Sequence, residues 1–250
     1  MSIVTIEFGN DSSTKPMHGY LQTPTGDGKT PAIIVAHELF GVNPDICSIV
    51  DRLGDLGYVA LAPEFYHRHS PAGEWLERND AGRKRGFEYL NQTSREQVVQ
   101  DVRAAMDYLR QRDDVNGKIG ILGFSAGGHM AFLAAASLDL CAAAILYGGW
   151  LTGGEVEIAK PNPTINKAKD ISARGGKLLY IVGDKDAIID RSQIARIREA
   201  LAAADPAFEV VVLPEAQHAF FWEGTPSFNV RARDEAWKRV TTFFKDALGQ

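Results

Sequence analysis

Apolar positions fall into two textures along the chain. Near the N-terminus, Ile3–Phe8 and Met17–Thr23 alternate apolar and polar residues around Gly9-Asn10-Asp11-Ser12, which predicts an antiparallel hairpin. Beyond it, short continuous apolar runs take over: Ala32–Ala36, Tyr58–Ala62, Ile119–Leu122, Ala142–Tyr147, Leu178–Val182 and Val210–Leu213. Rich in Val, Ile, Leu and Ala, these runs suit strands covered on both faces. The segments between them switch to a helical period. In Pro44–Leu56, residues Ile46, Ile49, Val50 and Leu53 share one face, with Asn43 as N-cap and Pro44 at the first position. Thr93 and Glu96 have capping-box spacing ahead of Val99, Val102, Met106 and Leu109, and Asp190 caps a helix carrying Ile194, Ile197 and Leu201. Repeated β-α-β units with short connections predict an α/β fold: a mostly parallel twisted sheet, helices on both faces, and the hairpin at its start.

Two connections are longer than the rest, Phe65–Gln92 and Trp150–Gly175. Both lie on the carboxyl side of the predicted sheet, where open α/β folds place their sites, so they are expected to wall a pocket. No repeat, low-complexity tract or Pro/Ser linker divides the chain, and one domain over residues 1–250 is expected.

Composition adds exclusions. With 45% hydrophobic and 24% charged residues over 250 positions, the chain is neither disordered nor collagenous. A net charge of −5 and the lack of a basic stripe argue against nucleic acid as a partner. Cys47 and Cys141 both sit in apolar patterns, which predicts two buried free thiols in a reducing compartment. The N-terminus lacks a basic n-region, and the longest apolar stretch, Met130–Trp150, is broken by Ser137 and Asp139. No signal peptide, no membrane span and a cytoplasmic location are therefore expected.

The chemistry concentrates at Gly123-Phe124-Ser125-Ala126-Gly127. This G-x-S-x-G string follows the strand Lys118–Leu122 and precedes the helix Gly128–Ser137, the setting a nucleophile elbow requires. A serine nucleophile needs a base, and the base needs an orienting acid. The strand Leu178–Val182 ends in Gly183-Asp184-Lys185-Asp186, and the strand ending at Leu213 leads to His218. The order Ser125, Asp186, His218 is that of an α/β-hydrolase triad. Asp184 and Asp190 compete for the acid role, but Asp184 suits the turn and Asp190 the helix cap. Among six histidines His218 is preferred because it ends a strand; His129 is read as a packing or surface residue and His18 as part of the hairpin. Backbone N–H groups of Ala126 and Leu39 are the candidate oxyanion donors. Glu38 beside them is unusual: it either pairs with an arginine of the Phe65–Gln92 segment, accepts a hydrogen bond from Ser125, or is an ordinary surface residue.

At this point the residues resemble a family. Ala32–Asn43, Gly57–Tyr66, Gly120–Gly128, Gly183–Asp186 and His218–Phe220 are similar to segments of the dienelactone hydrolases, and the likeness spans roughly residues 17–248. The resemblance implies a single-domain α/β-hydrolase fold, in most members monomeric (a dimer stays open), which hydrolyses esters or lactones without a cofactor. It also implies that Glu38 contacts and helps activate the nucleophile and that Leu39 contributes to the oxyanion hole. Two departures stand out. Founding members carry cysteine where this chain has Ser125, so activation must come from His218 as general base. Members that take dienelactone clamp its carboxylate with arginines; here Trp222 occupies one such position, leaving Arg78, Arg83 or Arg85 as the remaining partners.

Trp222, Phe221, Tyr66, Trp75 and Trp150 are expected to give the pocket aromatic walls. Gly26–Thr30 is no P-loop, since Pro31 and a strand follow it. His67 and His69 lack a third ligand at metal-site spacing, and no metal is expected. The resulting expectation is a serine hydrolase of small carboxylic esters or lactones. The alternatives are an acyltransferase or perhydrolase with the same triad and a non-catalytic ligand-binding homologue.

Overall fold

The apolar runs of the sequence become strands, buried along nearly their whole length except at the half-buried edge strand Glu209–Leu213, and their pairing fixes the architecture. The structure, a computed structural model, describes residues 2–8 and 15–249. The strands are β1 (Ser2–Ile6), β2 (Met17–Gln22), β3 (Thr30–Ala36), β4 (Val59–Pro63), β5 (Val115–Phe124), β6 (Ala142–Leu146), β7 (Lys177–Gly183) and β8 (Glu209–Leu213). They form one eight-stranded sheet in the order β1-β2-β4-β3-β5-β6-β7-β8. β1 pairs antiparallel with β2, and β2 antiparallel with β4; every other pair is parallel. The expected hairpin pairing is present, while the turn Gly9–Ser12 lies outside the described residues.

The helices are α1 (Pro44–Asp55), α2 (Asp80–Gln92), α3 (Arg95–Arg110), α4 (Ala126–Ser137), α5 (Ala168–Ala173), α6 (Arg191–Ala204) and α7 (Val230–Leu248), with two 3-10 turns at Glu157–Ala159 and Thr164–Lys167. They cover both faces of the sheet. In β5 a Cβ on Gly120 would meet the Phe244 ring of α7, and one on Gly123 would meet Ala131 of α4. An odd separation along a strand means opposite faces. Arg52 of α1 lies 3.9 Å over the Trp237 ring, joining α1 to α7.

Local signals resolve as the sequence suggests, with small displacements. Asn43 accepts from Ile46 N at 3.1 Å, and Asp190 heads a full capping box with Gln193. The box ahead of α3 is shifted by one residue, to Ser94 and Gln97. Thr93 is taken by the preceding helix, whose end it closes by donating to Tyr89 O at 2.9 Å. Helix α4 begins at Ala126 rather than Gly128, and the connection after Phe65 contains α2. Cys47 and Cys141 are free but only half-buried, a correction to the expected full burial: one lies at the flank of α1 and the other between α4 and β6.

The strand order reverses between β3 and β5, which are neighbours although β4 lies between them in sequence. Such a switch opens a crevice at the carboxyl ends of the strands. Glu38-Leu39 follow β3 and Ser125 follows β5, so both candidate segments flank it.

Candidate active site

Ser125 sits at φ 52°, ψ −114°, immediately before α4. For a residue with a side chain this conformation is strained, and the packing around it leaves no alternative. A Cβ on Gly123 would stand 2.2 Å from Gly127 O, and one on Gly127 would stand 2.1 Å from Ala36 O. The glycines therefore let strand β5, the first turn of α4 and the end of β3 close on one another. Ser125 N donates to Leu146 O at 3.0 Å, and His129 N donates to Ser125 O at 3.2 Å.

The structure brings Ser125, His218 and Asp186 into one hydrogen-bonded chain. Ser125 Oγ lies 2.9 Å from His218 Nε2, and His218 Nδ1 lies 2.8 Å from Asp186 Oδ2. A carboxylate can only accept, so Nδ1 carries the proton and Nε2 is free to accept from the serine hydroxyl. Asp186 is itself held: its Oδ1 accepts from Ile188 N at 2.8 Å and Ile189 N at 2.9 Å, and its side chain is fully buried. The histidine loop is anchored to the aspartate turn through Lys185 N, which donates to Ala216 O at 3.0 Å. Asp190 is occupied as the helix cap, and Asp184 stays in the turn, its N–H donating to Leu213 O.

Ala126 N–H and Leu39 N–H remain the candidate donors to an oxyanion. Ala126 N–H belongs to the first turn of α4 and has no acceptor within the helix, while the helix dipole adds positive potential there. Leu39 follows β3, whose end abuts Gly127, so its loop runs alongside the first turn of α4. That loop is pinned by His37, a residue to which the sequence assigned no role. His37 is buried; its Nδ1 lies 2.7 Å from Glu38 O, and its Nε2 accepts from Phe65 N at 3.2 Å. Burial pulls the His37 pKa down to about 4, so the ring is neutral with its proton on Nδ1.

Glu38 is buried and engaged with an arginine, the first of its expected alternatives. Arg78 Nε donates to Glu38 Oε1 at 3.0 Å and Nη2 reaches the same oxygen, while Trp222 Nε1 donates to Oε2 at 3.0 Å. Arg78 Nη1 bonds Asp45 of α1. Burial pushes the Glu38 carboxyl up, against the pull of Arg78 and Trp222. Donors on both oxygens are the surroundings of an ionised carboxylate. Arg83 and Arg85 are exposed on α2, where Arg85 bonds Tyr89 and Glu88.

Aromatic side chains crowd this end of the sheet. Tyr66, Phe221 and Trp222 are buried, Trp150 is half-buried and Trp75 is exposed. Tyr147, in sequence simply the end of an apolar run, packs its ring edge-on to His218 with centroids 5.2 Å apart. His129, thought a packing or surface residue, is fully buried and hydrogen-bonded at both ring nitrogens.

Comparison with known proteins agrees with this arrangement. The model of the "Dienelactone hydrolase family" matches residues 17–248. A protein of Synechocystis sp., provisionally named carboxymethylenebutenolidase, is 31% identical over 234 residues, covering 92% of each chain. One from Yersinia pestis with the same provisional name is 32% identical over 217 residues, covering 87% of this chain and 78% of that one. The crystal structure of a provisionally named dienelactone hydrolase from Klebsiella pneumoniae superposes with a TM-score of 0.81 at 29% identity, covering 98% of this chain and 99% of that one. With its eight-stranded sheet, the elbow after β5 and a family match over nearly its whole length, this chain belongs to the dienelactone hydrolase family of α/β-hydrolase-fold enzymes.

Proposed function

We propose that this enzyme is a serine hydrolase of small carboxylic esters or lactones working through an acyl-enzyme. The single observation that carries the reading is the continuous relay from Ser125 Oγ to His218 to Asp186, with links of 2.9 and 2.8 Å. Ser125 Oγ attacks the carbonyl carbon as His218 Nε2 takes its proton. Asp186 holds the ring in the tautomer this requires and stabilises the imidazolium that forms. Ala126 and Leu39 N–H groups receive the developing oxyanion; each such donor contributes about 3–4 kcal/mol of barrier lowering. His218 then gives its proton to the leaving oxygen, and a water molecule repeats the sequence to release the acid and restore Ser125.

Glu38 enters this mechanism as an anchor. Its oxygens are bonded to Arg78 and Trp222, and it ties the loop carrying Leu39 to α1 and to the segment after His218. No helix among the described residues is long and apolar enough to cross a membrane. A small-molecule substrate, no cofactor, a monomeric state and a cytoplasmic setting complete the proposal, and the two free thiols fit such a setting.

The reading is tested by Ser125→Ala. Turnover of p-nitrophenyl acetate is expected to fall to background while the circular dichroism spectrum is unchanged; retained turnover would overturn the serine assignment. Added alcohol or peroxide separates hydrolysis from acyl transfer, because a transferase would divert most product to the added nucleophile.

A further inference from the structure

Behind Ser125 lies a second buried polar chain that the mechanism does not use. His129, one turn into α4, is fully buried, as is Thr164 in the second 3-10 turn. His129 Nδ1 lies 2.9 Å from Gly149 O and His129 Nε2 lies 2.8 Å from Thr164 Oγ1. Arg95, the first residue of α3, donates from Nη2 to Thr164 Oγ1 at 2.7 Å and to Asn162 O at 2.6 Å, and from Nε to Ile158 O at 2.7 Å.

Donor and acceptor chemistry favours one arrangement of the protons in this chain. A carbonyl can only accept, so Gly149 O requires the proton on His129 Nδ1, which makes Nε2 an acceptor. Arg95 can only donate, so Thr164 Oγ1 accepts from it and turns its own hydrogen toward Nε2. The direction runs Arg95 to Thr164 to His129 to Gly149, with the Thr164 hydroxyl accepting from Arg95 and donating to His129. Burial lowers the His129 pKa to about 4, with the Arg95 charge acting in the same sense, so the ring is neutral as the chain demands.

What the chain holds in place is the corner Gly149-Trp150. Gly148 O is fixed from the other side by Tyr180 Oη at 2.9 Å, and Ile165 N donates to Leu151 O at 2.9 Å. Trp150 adopts φ 57°, a conformation that needs such support. The corner also lies on the perimeter of the site. Gly149 is 3.7 Å, measured from a Cβ position, from Ile188, whose N–H bonds Asp186. The Trp150 ring meets Phe87 of α2 edge-on at 6.2 Å, one residue from Gly86, which lies against Leu39. A series of contacts thus links the Leu39 loop, through Gly86, Phe87 and Trp150, to Ile188 at the aspartate turn.

We propose that Arg95, Thr164 and His129 form a buried strut that fixes the Gly149-Trp150 corner and so sets which acyl groups the site admits. His129 is a positioning residue in this scheme. The inference rests on the esterase reading given above.

The test compares p-nitrophenyl acetate with p-nitrophenyl hexanoate. Thr164→Val keeps the shape of the side chain but removes the hydroxyl, and Thr164→Ser keeps the hydroxyl. The valine variant is expected to shift the ratio of the two kcat/KM values at least fivefold, more through KM than through kcat, and the serine variant is expected to restore the original ratio. An unchanged ratio in a folded valine variant would reduce the strut to scaffolding and overturn the proposal. If the valine variant does not fold, long-range 1H–15N correlation on the unaltered enzyme still decides: a proton on His129 Nε2 contradicts the chain, and one on Nδ1 supports it. Activity surviving Ser125→Ala would instead sink the underlying esterase reading, so the two failures are distinguishable.

Discussion

Gly86 of α2 lies so close to Leu39 that a Cβ on the glycine would stand 2.6 Å from the Leu39 carbonyl oxygen and 2.7 Å from its Cγ. The helix and the candidate oxyanion loop are in direct contact here, with no side chain on the helix side. Gly86→Ala must push the Leu39 loop away or tilt α2. Because a displacement of about 1 Å in a catalytic group can cost about 100-fold in rate, kcat/KM for p-nitrophenyl acetate is expected to drop at least tenfold. Alanine is also the better helix former, so thermal unfolding should move little. Full activity in this variant would mean that the Leu39 N–H is not a donor to the reaction.

Arg78 bonds Glu38 in this loop, and it is already shared between two carboxylates, Glu38 and Asp45. An anionic acyl group would find no uncommitted cation in this cluster. Mono-p-nitrophenyl succinate is therefore expected to turn over at least tenfold more slowly than p-nitrophenyl butyrate, its near-isosteric neutral counterpart. Equal rates would show that Arg78 leaves its partners to bind substrate.

Two buried histidines give stability a defined dependence on acid. In the unfolded chain a histidine takes up its proton near pH 6.5, whereas folded His37 and His129 resist protonation until about 4. Between these values the unfolded state binds more protons, so stability rises with pH across the window and is lost as acid is added. No stability is lost above about pH 6.5, and the loss reaches roughly 3 kcal/mol for each ring by pH 4. The urea midpoint is expected to fall steeply from pH 6.5 to 4, and His37→Gln should remove about half of that slope. A midpoint flat over this range would show that the two rings are not held neutral.

Much of this organisation is legible in the chain. Strands β3 to β7 announce themselves as unbroken apolar runs because both of their faces are covered, and Ser125 is marked by the glycines that its close neighbours demand. The convergence of Ser125, Asp186 and His218 follows from strand order, since each residue ends or follows a parallel strand. What escaped is held by side chains distant in sequence. Nothing local tells which arginine meets Glu38, and Arg78 lies 40 positions away. His129 looks like any polar residue on an apolar helix until Thr164 and Gly149 are folded onto it. The capping box at α3 slipped by one because Thr93 and Ser94 are both good caps; only the end of α2, which uses Thr93, decides between them.

The central claim is that the hydroxyl of Ser125 becomes covalently acylated. The most direct measurement is mass spectrometry of the intact protein and its peptides after treatment with a fluorophosphonate probe. One adduct per chain, mapped to Ser125 and absent from Ser125→Ala and His218→Ala, is the expected result. A protein that hydrolyses esters yet stays unlabelled, or carries its label on another residue, would contradict the account.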